Sequence, residues 1–497
     1  MRLPSAIALS LALAACRDRP ADTRGARGSG SAGGSGGAGS AVAAGSGGSA
    51  AGSAGSAADP WAAAPKQPDT PESRQRRAEA ALGRVAKIEP EVARLRHLGF
   101  ERAVPTRYQK PDEFRAFVRR EIAKDLPPAR SRDLTQALAH LGFLTHATDL
   151  AGVEEQAMTT QAGAYYDPAA KAFFVVMVPD SDLLLDTMSA HELTHALQDQ
   201  HFDLAKYLPS DTSLDDDAAM ARRFVVEGDA TFVMLLYAVR SMLGDDVSGP
   251  TLAVLRDQIK SLASQDIASL EAQVKQQSAM FGAMDGEIQK SIDAMDDIPP
   301  AVLVPLLDSY MKGALVALTA YEHGGWPAVD ALYRDPPSST EQVLHPATKL
   351  YPRDRPHKVS LPRSSDPELA NNVLGELQWK IYFDLWKSPR ASEASEGWAG
   401  DRYSVTRRSD GRLIGWIATR WDTPADAHQF ADAYVASLAA RFPGAHPDAP
   451  GGRPADGIAR PGGGKVFVRV AGDRVFIVDG GDDARPLDAL VRGAAFD

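Results

Sequence analysis

The spacing of hydrophobic residues changes along the first two thirds of the chain, and each change predicts a different kind of element. From about residue 73 onward, apolar residues recur at intervals of three and four, the period of an α-helix. Aromatic and β-branched runs on either side of a turn at Asp167-Pro168 predict a β-hairpin over residues 163–178. Helical spacing then returns. The predicted helices span residues 73–100, 111–125, 131–144, 181–201, 216–242, 251–284 and 300–322.

A proline-rich stretch over residues 336–367 separates this helical region from a second pattern. Beyond it the sequence predicts, in order, a helix over 367–387, strands over 403–408 and 413–421, a helix over 424–441 and a hairpin over 465–478. The chain is therefore predicted to have an α+β fold. We expect a mostly helical domain with a small β-sheet over residues 71–362, and a small C-terminal α+β module of unknown role over residues 363–497.

The N-terminal residues have the composition of an export signal followed by a tether. Residues 1–16 place one Arg before a short apolar run that ends in small residues, and Leu13-Ala14-Ala15-Cys16 resembles the lipobox of bacterial lipoproteins. Residues 17–70 are mostly Gly, Ser and Ala, which favours a flexible tether. We therefore expect a membrane anchor through lipidated Cys16 in the bacterial cell envelope, outside the cytoplasm. Arg17 favours the outer membrane by resemblance to lipoprotein sorting rules.

Composition and charge limit the partners and the means of stabilisation. The net charge is -11 and no stretch concentrates Lys and Arg, so a nucleic-acid partner is not expected. Cys16 is the single cysteine, which excludes an intramolecular disulfide. With 44% hydrophobic residues, the chain has enough apolar side chains for a sizeable core. Stability must therefore come from the core.

The motif His191-Glu192-Leu193-Thr194-His195 lies inside the helix predicted over residues 181–201. Two histidines four residues apart project from the same face of a helix, so both imidazoles can bind one Zn²⁺. Glu192 lies beside them, where its carboxylate can take a proton from a metal-activated water and pass it to the leaving amine. The spacing therefore predicts a zinc site with a catalytic carboxylate. Fe²⁺, Co²⁺ and Mn²⁺ also suit two histidines and a carboxylate.

Three runs of sequence resemble a group of bacterial gluzincin-type HExxH zinc metallopeptidases whose substrates are mostly unknown. These runs are HELTHALQDQHFDL, the later VVEGDAT, and the YYDP turn before both. The resemblance is specific over residues 160–240 and weaker over residues 300–350. It implies a zincin-like metallopeptidase domain, a zinc cofactor and a peptide or protein substrate. It also implies that the strand within residues 172–178 forms the sheet edge that aligns the substrate.

A catalytic zinc needs a third protein ligand, and two residues compete for this position. In gluzincins the ligand is a Glu on a later helix, so the resemblance assigns Glu227. His201 has the spacing of the third histidine of metzincins, but Gln198 replaces the Gly that those enzymes use to turn the chain. On a continuing helix, His201 lies about 15 Å from His191 along the axis. Glu227 is therefore the favoured ligand.

The resemblance assigns further roles around these ligands. Asp229 is expected to accept a hydrogen bond from a ligand imidazole, and Gly228 is expected to let the two metal-binding helices approach closely. Zincins also place a His or Tyr donor against the oxyanion that develops during attack. His345 is the first choice because it lies in a polar loop, and Tyr310 and Tyr321 are the alternatives.

Together these features predict a zinc-dependent peptidase in which a metal-activated water attacks a peptide bond, tethered to the cell envelope. Two alternatives stay open. One is a non-catalytic zinc-binding scaffold lipoprotein, against which Glu192 argues because binding alone needs no base. The other is a metallohydrolase that cleaves a non-peptide amide, such as one in cell-wall peptide.

Overall fold

The structure is a computed structural model that describes most of the chain after the N-terminal region. The described residues are 70–160, 163–178, 181–210, 213–244, 249–265, 269, 295–388, 390–448 and 452–497. The predicted signal peptide over residues 1–16, Cys16 and the tether lie outside them, except for Thr70. That residue caps the first helix by accepting a hydrogen bond from the Ser73 N–H.

Helices form most of the first two thirds of the described chain. In chain order they are α1 Pro71–Arg96, α2 Pro111–Asp125, α3 Pro128–Leu141, α4 Leu150–Thr160, α5 Asp182–Phe202, α6 Leu204–Tyr207, α7 Asp216–Leu243, α8 Pro250–Ala263, α9 Pro300–Arg334, α10 Thr340–Leu344, α11 Gly375–Leu385, α12 Ala391–Ser395, α13 Pro424–Arg441 and α14 Arg485–Gly493.

The strands form three sheets. In chain order they are β1 Thr106–Tyr108, β2 Ala164–Asp167, β3 Ala172–Val175, β4 Val359–Ser360, β5 Glu368–Asn372, β6 Trp398–Arg407, β7 Leu413–Trp421, β8 His446–Pro447, β9 Ile458–Ala459, β10 Lys465–Ala471, β11 Arg474–Gly481 and β12 Ala495–Phe496. The sheet orders are β1-β3-β2, β5-β6-β7-β11-β10-β9-β8 and β12-β4. The predicted α+β class is confirmed.

The structure corrects the predictions for the small sheet and for residues 367–387. The strand β3 is central, between β1 and β2, so it cannot offer an open edge to a substrate. The helix predicted over residues 367–387 begins only at Gly375, because the preceding residues form β5 and pair with β6. Cross-strand pairing overrides local propensity here. The helix predicted over residues 251–284 is described as α8 only as far as Ala263.

The first hydrophobic core is built around α5, which carries the HExxH motif. This helix is buried on nearly all sides from Leu185 to Asp199, and α1, α7 and the small sheet pack against it. A helix buried on every face occupies the centre of a core. Ser181 caps its N-terminus by accepting a hydrogen bond from the Leu184 N–H. The motif is therefore held on a rigid element.

A second core lies between the seven-stranded sheet and α11 and α13, and it also includes the end of α3. Ala137, Leu141 and Phe143 are buried in it. The His140 Nε2 lies 3.1 Å from the Asp479 carbonyl oxygen, and Arg441 donates to the Asp479 carboxylate over 2.8 Å. The C-terminal module is thus packed onto an element from the helical region.

The helix α9 contacts α7 along much of its length. It is long and apolar enough to cross a membrane by length and composition, and 72% of its most apolar window is buried inside the structure. The helix predicted to end at residue 322 instead continues to Arg334 after a kink. Gly324 and Gly325 adopt non-helical backbone angles there, with a φ of 65° at Gly325.

Helices α7 and α9 cross at a pair of glycines. A Cβ atom placed on Gly228 would lie 2.0 Å from the carbonyl oxygen of Gly313, far inside the van der Waals distance. Gly228 therefore permits a close approach of α7 to α9. The expectation that it faces the HExxH helix is wrong, because on a helix Glu227 and Gly228 point in different directions.

Replacing Gly228 by Ala is expected to destabilise the fold by roughly 1–3 kcal/mol or more, because the added methyl meets rigid backbone. The change is read from the urea midpoint of unfolding. Gly83→Ala on α1 is the matched control, since a Cβ there meets nothing within 4 Å. That variant is expected to gain about 0.5–1 kcal/mol. Equal effects in both variants would contradict the packing argument.

Candidate metal centre

Three predicted ligands come together where α5 and α7 face each other. The Nε2 atoms of His191 and His195 lie 3.0 Å apart, and the Glu227 Oε2 lies 3.3 Å and 3.4 Å from them. All three side chains are at most 2% exposed. The three atoms thus form a small buried triangle, which we call the metal cluster.

The shape of the metal cluster fits a tetrahedral ion. Ligand atoms about 2.0–2.1 Å from zinc at tetrahedral angles lie about 3.3–3.4 Å from one another, close to the distances in the triangle. His195 Nδ1 is hydrogen-bonded to the Gln198 Oε1 over 2.8 Å, and because an amide oxygen only accepts, Nδ1 carries the proton. In the neutral form of this imidazole, Nε2 therefore carries the lone pair that a metal ion needs.

The electrostatics of the cluster are set by burial and by the mutual contact of its members. Burial lowers the pKa of His191 to about 4, so this imidazole is neutral, as a metal ligand must be. Burial alone would raise the pKa of Glu227, but the two imidazoles outweigh it and hold that pKa well below its usual range. Burial also acts to lower the pKa of His195, but Glu227 reverses this and the pKa is raised.

A chain of hydrogen bonds supports the His195 imidazole at its Nδ1 atom. Gln198 accepts from the imidazole and donates its amide N–H groups to the Val226 carbonyl over 3.0 Å and the Asp229 carboxylate over 3.1 Å. Asp229 also accepts from Arg96 Nε over 2.8 Å. This chain fixes the orientation and tautomer of the ligand. Asp229 thus reaches a ligand imidazole only through Gln198, which corrects the predicted direct hydrogen bond.

The Nδ1 atom of His191 has a different environment. Among the described residues it is buried without a hydrogen-bond partner, and so is the hydroxyl of Thr231. The structure therefore gives the Nδ1 atom of His195 a supporting chain of hydrogen bonds, whereas the Nδ1 atom of His191 has no protein partner among the described residues.

Glu192 is held at the edge of the small sheet. Its Oε2 accepts the backbone N–H of Tyr166 on β2 over 2.9 Å. The same tyrosine donates its hydroxyl to Asp199 over 2.8 Å, and Lys171 donates to that carboxylate over 2.8 Å. The hairpin of β2 and β3 is therefore hydrogen-bonded to α5 at Glu192 and at Asp199. These contacts orient the Glu192 carboxylate beside the two histidines.

The three candidates for the oxyanion donor occupy different places. The ring of Tyr310 on α9 lies with its centroid 5.8 Å from that of His191. Tyr321 packs against Phe232 and Trp326 in the core. His345, the first choice from sequence, lies outside the metal cluster and its Nε2 is 2.7 Å from the Glu376 Oε1. Tyr310 is thus the candidate that the structure brings to the cluster.

The competing ligand His201 is also outside the cluster. Its Nε2 lies 2.7 Å from the Gly99 carbonyl oxygen, and its side chain is 23% exposed near the end of α5. A second group of carboxylates, Glu341, Asp354 and Asp422, has a spacing compatible with a metal. Lys349 Nζ lies 2.6–3.0 Å from all three, so an ammonium already occupies the position between them.

Two residues of the site were not singled out as functional from sequence. Gln198 lies three residues after His195, a spacing that puts both side chains on one helix face, so a local signal existed. Arg96 had no such signal. It is fully buried, contacts Asp229 and Asp330, and lies over the Trp326 ring at 4.6 Å. Its partners are far away in sequence.

Comparison with known proteins bears on the C-terminal module. Residues 364–490 match a family described as a domain of unknown function, DUF8575. The matched span is about a quarter of the chain and contains no member of the metal cluster. No curated protein and no solved structure matches the chain.

Proposed function

We propose that this protein is a zinc-dependent peptidase of the gluzincin type, with His191, His195 and Glu227 as ligands and Glu192 as the catalytic carboxylate. The observation that carries the proposal is the triangle of ligand atoms, whose edges of 3.0–3.4 Å suit one tetrahedral ion. A carboxylate on the same helix beside this triangle is the arrangement that proton transfer during hydrolysis requires.

Each residue of the site has a defined task in this proposal. When bound, zinc polarises the scissile carbonyl and lowers the pKa of a water molecule. Glu192, oriented by the Tyr166 N–H, takes the proton of the attacking water and returns it to the leaving amine. Tyr310 is the proposed donor to the developing oxyanion. The chain from His195 to Arg96 holds one ligand rigid during these transfers.

The setting of the reaction is part of the proposal. A lipid on Cys16 would hold the enzyme in the bacterial cell envelope, outside the cytoplasm, and the Gly/Ser/Ala tether would keep the folded part away from the membrane surface. The substrate is a peptide or protein. The resemblance of the HExxH run and of the later VVEGDAT run to gluzincin-type peptidases supports this substrate class.

Metal content per chain tests the proposal, with protein that begins at residue 60. We expect one zinc ion per chain in the wild type and in His201→Ala, and loss of the metal in Glu227→Ala. Elemental analysis after dialysis measures the content. His201 is the matched control because it is a histidine of α5 outside the cluster.

Two results would contradict the proposal. One is a wild-type protein without zinc even after reconstitution. The other is equal zinc content in Glu227→Ala and wild type, which would show that Glu227 is not the third ligand. Retention of the fold is checked by circular dichroism, because loss of structure would also release the metal.

A further inference from the structure

A cavity of about 640 Å³ lies between the helical region and the C-terminal module. Its walls come from the N-terminal halves of α7 and α9, from α3 and α4, and from the strand β5. Apolar side chains such as Leu134, Met158, Met220 and Leu306 form much of the surface. The volume is in the range of ligand-binding clefts.

The cavity approaches the metal cluster along two helices. Arg223 on α7 lines the cavity, and the ligand Glu227 follows one turn later on the same face. Leu306 on α9 lines it as well, and Tyr310 follows one turn later. One helical turn is about 5.4 Å. Glu227 on α7 and Tyr310 on α9 thus each lie about one turn beyond a residue that lines the cavity.

The strand β5 runs along the cavity with one edge unpaired. All five residues of Glu368–Asn372 line the cavity. Because side chains alternate between the two faces of a strand, a cavity that touches every residue follows the edge of the strand. One edge pairs with β6, and no described strand pairs with the other. An unpaired edge can bind an extended chain through its backbone groups.

The charges that line the cavity favour a basic occupant. Four carboxylate residues contribute to its wall, namely Asp125, Glu154, Asp216 and Glu368. Two arginines, Arg130 and Arg223, also line the cavity, so carboxyl groups outnumber guanidinium groups in its wall. Lys and Arg side chains combine an apolar stem with a cationic end and so match a wall that is both apolar and acidic.

We propose that this cavity binds an extended polypeptide segment that carries a Lys or Arg side chain and adds to β5 as a further strand. The C-terminal module thereby becomes part of the substrate-binding site. The inference rests on the proposed function, because a substrate bound in the cavity must lead toward the metal cluster. The substrate class is then an unfolded or extended basic polypeptide.

Peptide binding to the full chain with Glu192→Gln tests the inference by fluorescence anisotropy. The probe is a labelled peptide of about ten residues, alternating Val and Thr with a central Arg. One matched peptide has Glu in place of Arg, and another is N-methylated at alternate residues, which removes strand hydrogen bonds. We expect both matched peptides to bind at least about tenfold more weakly.

A protein variant supplies the second arm. Glu154→Lys in the cavity is expected to weaken binding of the Arg peptide about tenfold or more. Asp432→Lys makes the same charge change on the exposed face of α13, away from the cavity, and is expected to leave binding unchanged. Binding that is indifferent to peptide charge, to N-methylation or to Glu154→Lys would overturn the inference, as would no binding.

The same titration on Glu227→Ala separates this inference from the proposed function. Strand addition and charge contacts use β5 and the cavity wall, so we expect the Arg peptide to bind the Glu227→Ala protein within about threefold of the parent. If the wild type binds no zinc but the Arg peptide still binds in a charge-dependent way, the proposed peptidase function is overturned and the peptide site remains. If the wild type binds zinc but the peptide does not bind, the peptide site is overturned and the proposed peptidase function remains.

Discussion

Replacing Glu192 by Gln is expected to lower peptide hydrolysis about 10²–10⁴-fold while the protein still binds one zinc ion per chain. The amide keeps the size of the side chain and can still accept the Tyr166 N–H through its oxygen, so the local geometry is retained. It cannot take a proton from water. Turnover of a quenched fluorescent peptide library and elemental analysis of the same sample measure the two quantities.

Glu101→Gln is the control for this comparison. Glu101 is half exposed beside His201 and lies outside the metal cluster, so its replacement is expected to leave turnover unchanged. Wild-type protein that binds zinc but cleaves neither peptides nor cell-wall fragments would favour the non-catalytic scaffold. Full activity of Glu192→Gln would assign the proton transfer to another group. Cleavage of cell-wall fragments alone would favour the metallohydrolase.

Replacing Arg96 by Met is expected to destabilise the fold by about 3–5 kcal/mol, because it leaves the Asp229 carboxylate buried without its cation. Both side chains are fully buried, so solvent cannot take over the role of the guanidinium. The same change removes a donor to Asp229, which accepts a hydrogen bond from Gln198. Gln198 is then held less firmly against the His195 imidazole. Zinc affinity is therefore expected to fall about tenfold or more. Urea unfolding and chelator competition measure the two effects.

Arg94→Met on the same helix is the matched control. Arg94 forms an exposed ion pair with Glu91, and surface changes of this kind stay within about 0.5 kcal/mol. A double variant, Arg96→Met with Asp229→Asn, removes both charges and is expected to recover part of the lost stability. If Arg96→Met unfolds no more easily than Arg94→Met, the buried ion pair contributes nothing measurable.

Local spacing was enough to predict the parts of the fold with strong end signals. The helices α2 and α13 have the predicted bounds, and both have a proline at their first position, where its fixed φ suits a helix start. Thr423 adds a capping box before α13. The HExxH motif was also predictable from local spacing, because both of its histidines lie one turn apart on the same helix.

Long-range pairing explains what the sequence could not predict. The five residues of β5 become a strand because β6 pairs with them, and nothing in ELANN itself excludes a helix. Arg96 meets Asp229 across 133 positions of sequence, so no spacing rule applies to the pair. The prediction of Glu227 depends on a resemblance, and the structure places it with both histidines. The loop position of His345 favours a role in the site, but its Nε2 contacts Glu376 outside the metal cluster.

The position of α3 has a consequence for any attempt to isolate the C-terminal module. The segment that matches DUF8575 begins at residue 364, yet Leu141 at the end of α3 and Phe143 directly after it fill part of the same core. The matching segment is therefore smaller than the packed core to which it belongs in this chain. A fragment cut at residue 364 would leave part of this apolar surface open to water, and such a surface favours association with another chain.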